Sequence, residues 1–73
     1  MEKYDLTKEE KSEIIISHLK TLAAAIYNAE VSLAEENSLE NPSQDVLNQL
    51  NTQITNAETK TNVLVIKLQS LLG

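Results

Sequence analysis

The stretch Leu33–Leu47, LAEENSLENPSQDVL, separates two heptad ladders and decides how the chain folds. Upstream of it, apolar residues step by three and four through Ile15, Leu19, Leu22, Ile26, Ala29 and Leu33. Downstream, the same stepping runs through Leu47, Leu50, Ile54, Ala57, Thr61, Leu64, Leu68 and Leu71. A stripe with this recurrence is the seam of a coiled coil, because it keeps one narrow face of each helix turned toward its neighbour. If the chain doubles back within the quoted stretch, Leu33 faces Leu47, Ala29 faces Leu50, Ile26 faces Ile54, Leu22 faces Ala57, Leu19 faces Thr61 and Ile15 faces Leu64. The paired residue numbers then sum to 79 or 80 throughout. The expectation is an all-α fold: a single antiparallel two-helix hairpin of the coiled-coil type over residues 1–73, packing into a larger helical assembly.

Local signals set the expected boundaries. Residues 1–6 read as a short, mobile lead-in. Thr7 and Glu10 have the spacing of a capping box, in which each side chain bonds the other's orphan backbone donor. Helix one should therefore start near Lys8, and with no Gly or Pro to interrupt it should continue to about Glu36, its opening acids Glu9, Glu10 and Glu13 complementing the helix dipole. A turn is expected over residues 37–41. Asn41 then reads as the cap of helix two, Pro42 as its first residue and Gln44 as the closing member of a capping box, with the helix running to about Leu72.

Size and composition exclude several classes of protein. A pair of helices this short buries one seam only, which leaves a small scaffold near break-even in stability and in need of a partner. The 73 residues contain no cysteine, so neither a disulfide nor a thiolate metal site supplements the core, as suits a reducing compartment. The net charge is −5, arginine is absent and the six lysines read as scattered, which disfavours nucleic acid and anionic membrane surfaces. No run approaches the roughly 18 apolar residues of a membrane span, and residues 1–13 alternate acids and lysines where the apolar part of an export signal would begin. Tyr4 and Tyr27 are the only aromatic residues and Gly73 the only glycine, leaving no means for stacking platforms, an ordinary cofactor pocket or a glycine-rich phosphate loop.

The informative apolar residues are those the seam does not use. On helix one, Ile16, Ala23, Tyr27 and Ala34 lie along one flank of the seam, and Ile14, His18, Thr21 and Ala25 along the other. On helix two, the run Val63, Leu64, Val65, Ile66 is apolar all round, and the pairing sets it beside Ile14, Ile15 and Ile16. The open end of the hairpin thus reads as a hydrophobic knob, a patch of the kind that monomers avoid exposing. Ile14, Ile16, His18, Ala23, Tyr27, Val63 and Ile66 are the candidate partner-binding residues. The occupant is either a protein partner or a second copy in a four-helix bundle, and small residues Ala23, Ala24 and Ala25 permit close helix approach in both cases. The outer face of helix two, rich in Asn, Gln and Thr from Asn48 to Asn62, reads as simply solvated.

Chemistry-bearing constellations are missing. His18 has no cysteine or acid at ligand spacing and reads as a packed or half-exposed side chain rather than a metal ligand. Ser12, Ser17 and Thr21 lie near it by helical spacing, but no third group orients the imidazole and no oxyanion donors are in prospect. Acid pairs such as Glu35 and Glu36 read as solvated helix-end charges. No catalysis, cofactor, metal or small-molecule substrate is expected.

The motif KEEKSEIII at Lys8–Ile16 with Leu19 beyond it, the Asn-Pro turn followed by Gln44, and ITNAETKTNVLVIKL at Ile54–Leu68 together resemble the small YscE/SsaE/EscE-type co-chaperones of bacterial type III secretion systems. The likeness covers the chain from Lys8 to Leu71. It implies a cytoplasmic hairpin, working close to the inner-membrane secretion apparatus, whose apolar face docks on a larger tetratricopeptide-like helical co-chaperone. The two together would hold a needle subunit soluble before export, using helix anchors at i, i+3, i+4 and i+7 spacing. Asn41-Pro42-Ser43 and the late Val65-Ile66-Lys67 also look like the needle subunits themselves, although the aromatic leader of that family is absent. A self-associating coiled-coil structural protein is the third alternative.

Overall fold

The structure is a computed structural model that describes residues 5–73. Within them the chain forms two helices, α1 (Lys8–Asn37) and α2 (Gln44–Leu72), folded back on each other into a rod of 61 × 17 × 15 Å. Most of the expected lead-in, including Tyr4, lies outside the described residues.

The start of α1 follows from its cap. The Glu10 backbone N–H donates to Thr7 Oγ1 at 3.1 Å, and Glu10 Oε1 accepts the Thr7 backbone N–H at 2.9 Å, closing the capping box that the sequence prescribes. The Thr7 backbone N–H, followed by its hydroxyl, holds the Glu10 carboxyl below the usual glutamate range, since both favour the charged form. At the other end, Ser38 terminates α1 in an ordinary right-handed conformation, its hydroxyl donating to the Glu35 carbonyl at 2.6 Å. The Leu39 N–H donates to the Glu36 carbonyl at 3.2 Å, so two of the last orphan carbonyls find donors without a glycine.

The start of α2 corrects the expected cap. Asn41 and Pro42 remain in the connection, and Ser43 is the N-cap, its side chain accepting from the Val46 N–H at 3.3 Å. Gln44 is the first helical residue and closes no box; its amide instead donates to Asn48 Oδ1 at 2.9 Å. The reason lies on the other helix. Glu36 Oε2 accepts the Ser43 backbone N–H at 2.8 Å, the role that a residue three places past the cap plays in a capping box. Glu36 follows the seam at the end of α1, where a carboxylate opposes the helix dipole. Reaching across to the positive end of α2 reverses that cost and ties the two helices at the turn.

All fourteen residues assigned to the two ladders are the less exposed ones in their turns, from Ile15 to Leu33 on α1 and from Leu47 to Leu71 on α2. Grooves beside the seam join residues 17–22 to 59–64 and residues 11–15 to 67–71, as the antiparallel pairing requires. Thr61, the polar member of the seam, donates its hydroxyl to the Ala57 carbonyl at 2.8 Å and so enters the interface without an unmet donor. Among the described residues only Ile15, Ala29 and Ala57 are nearly closed to solvent, at 6%, 4% and 8% exposed. The other seam residues stay partly open, as one interface between two helices dictates.

Candidate partner-binding surface

Heptad register fixes which side chains share each flank. With Leu19 and Leu47 at position a, the positions just outside the seam on one side are Lys11, His18 and Ala25 of α1 beside Lys67, Lys60 and Gln53 of α2. On the other side they are Glu9, Ile16, Ala23 and Glu30 beside Leu72, Val65, Glu58 and Asn51. Position f, opposite the seam, carries Val31 on α1 and Ile66 on α2.

The first flank is concave. Ser17, His18, Thr21, Thr59, Lys60 and Val63 rim a groove of about 570 Å3 floored by Leu22 and Leu64. Two of its hydroxyls are spent inside their own helices: Thr21 Oγ1 donates to the Ser17 carbonyl at 3.2 Å and Thr59 Oγ1 to the Thr55 carbonyl at 3.0 Å. What remains is an apolar trough beside an imidazole, an ammonium group and the Ser17 hydroxyl. Nearer the open end lies a second hollow of about 360 Å3, bounded by Leu6, Ile14 and Leu71 with Lys11 and Lys67.

Each residue singled out from the sequence is exposed. Val63 is 59% exposed, Ile66 66% and Tyr27 68%, values at which a large apolar side chain gains little from its own fold. They do not form one knob. His18 and Val63 meet in the groove and Ile14 lies in the adjoining hollow, whereas Ile16, Ala23 and Tyr27 occupy the opposite flank and Ile66 the outer face of α2. Within the run Val63–Ile66, Leu64 belongs to the seam and its three neighbours radiate in different directions.

Leu6, Val31, Leu39, Val46, Val65 and Leu72 belong with the exposed apolar group and were not among the candidate partner-binding residues. The expectation of scattered lysines also needs correcting, since Lys11, Lys60 and Lys67 share one flank. Their common heptad position was the signal that could have placed them. The Asn-, Gln- and Thr-rich outer face of α2 is exposed from Asn48 to Asn62, apart from the seam residues between. Among the described residues no three His, Cys, Asp or Glu side chains are gathered as a metal ion would need, and no helix is long and apolar enough to cross a membrane.

Comparison with known protein families, with curated proteins and with solved structures finds none that matches the chain.

Proposed function

We propose that the chain is a small, non-enzymatic protein-binding co-chaperone, and that it belongs functionally with the hairpins that help a tetratricopeptide-like partner hold a type III secretion needle subunit soluble in the cytoplasm. The observation that carries the protein-binding part is the placement of exposed apolar side chains. Seven of the eleven large ones among the described residues, Leu6, Ile14, Ile16, Val63, Val65, Ile66 and Leu72, lie in the open half of the hairpin, and the other four, Tyr27, Val31, Leu39 and Val46, lie toward the turn. Covering such a surface yields about 25 cal/mol per Å2 of apolar area, and a hairpin whose own core closes over only three side chains has reason to use it. The secretion part rests on the resemblance of Lys8–Ile16 and Ile54–Leu68 to that co-chaperone family.

Purification of the chain from its native cytoplasm, with bound proteins identified by mass spectrometry, tests both parts. Recovery of a stoichiometric complex with a helical-repeat protein and a small secreted subunit is the expected result. Filaments of the pure chain that persist in about 0.5 M salt, where surface charges are screened, would instead assign it to the needle subunits, and a tight homodimer that captures neither protein would leave a self-contained bundle.

A further inference from the structure

The two flanks of the hairpin carry opposite charge beside apolar surface. Lys11, Lys60 and Lys67 border the groove and its adjoining hollow, and among the described residues no carboxylate lines either one, in a chain with eleven acids and six lysines. The opposite flank carries Glu9, Glu30 and Glu58 next to the seam and Glu13 one strip further out, against Lys8 and Lys20. Glu9, Glu13 and Leu72 meet there with Lys8 around a hollow of about 380 Å3, two carboxylates to one ammonium. Between these acids stand Ile16 and Val65, 42% and 37% exposed, which form an aliphatic ridge.

We propose that a second copy of this chain seats its acidic Ile16–Val65 flank in the lysine-bordered groove at His18 and Val63, a heterologous contact between unlike faces. A two-fold contact is disfavoured by the same charges. Groove against groove would bring the lysines of two copies together, and flank against flank would do the same with the glutamates, whereas groove against flank pairs opposite signs. Because the two faces lie on opposite sides of one rod, each docked copy still offers a free groove and a free flank. Association by this contact proceeds by addition to rows or rings, and its strength falls as salt screens the charges. The inference uses only the chain's own surfaces and stands apart from the identity of any other partner.

Sedimentation velocity of the pure chain over a hundredfold concentration range tests it, with two double variants on exposed positions. The wild-type mass should climb without a fixed stoichiometry and return to that of one hairpin near 0.5 M salt. K60E/K67E makes both faces acidic, and E13K/E58K makes both basic. Each alone should associate roughly tenfold or more weakly than wild type at unchanged helicity, and mixing the two should restore association. A wild-type mass that stays at one hairpin, a salt-insensitive dimer, or unimpaired association of E13K/E58K would each overturn the contact.

Discussion

Ser12 and Glu10 sit two residues apart at the start of α1, on opposite faces of the helix, and respond to their surroundings in opposite ways. Ser12 Oγ is enclosed at the edge of the seam with no hydrogen-bond partner, so the side chain is desolvated without compensation. Ser12→Ala removes the orphan and gains helix propensity; it should raise stability by about 1 kcal/mol, read as a higher urea midpoint at unchanged slope. Glu10 is exposed and stabilised as the anion by Thr7. Its folded pKa lies below its unfolded one, so its contribution is fully present above the ordinary glutamate value near 4.3 and disappears as pH falls through the lower folded value. The amides of the first turn should therefore lose protection on acidification, measured against the intrinsic exchange rate at each pH. In Glu10→Gln, which keeps an acceptor for the Thr7 N–H, that acid-induced change should be absent.

At the scale of helices, the two ladders were legible because a seam imposes one spacing along its whole length and each residue in it corroborates the rest. The turn was not legible to the same degree. Asn41 and Ser43 are both competent caps and flank the same proline, and the choice between them is made by Glu36, seven residues upstream, which no local pattern announces. Glu36→Ala should cost about 1–2 kcal/mol and accelerate exchange at the Ser43 amide, while Gln44→Ala, without a box to break, should cost little. Seam residues behave differently from both. Leu22→Asp or Ile54→Asp places an unpaired charge between the helices and should remove about 3 kcal/mol or more, enough to abolish most of the helical circular dichroism of so small a fold. Retention of full helicity in either variant would contradict the pairing.

For the molecule as a whole, exposure separates what holds the hairpin together from what it offers to others. Val63→Asp and Ile66→Asp alter side chains that the fold leaves in water, so helicity should persist within a few per cent while association with any partner covering those residues is lost. Unfolding as severe as that of Leu22→Asp would instead make Val63 or Ile66 part of the core. Part of the exposed apolar group, Ile14, Ile16, Tyr27, Val63 and Ile66, could be read from the sequence as what a complete seam leaves over, whereas Leu6, Val31, Leu39, Val46 and Leu72 were not picked out. Their division among a groove, a ridge and an outer strip could not be read from apolarity alone, because that division depends on the heptad phase of their charged neighbours. Lys60 and Glu58 differ by two residues and fall on opposite sides of the rod.

The alternation of large and small side chains along the seam has one more consequence. The register sets Leu22 opposite Ala57 and Leu50 opposite Ala29, and these alanines are among the three most enclosed residues. Sliding one helix past the other by a heptad would set Leu22 against Leu64 and Ala29 against Ala57, crowding one layer and hollowing another. The seam thus works as a notched key. A turn built without glycine or any left-handed residue does not have to measure the hairpin's alignment, because the fit of the helices rejects a chain that closes one notch out of step.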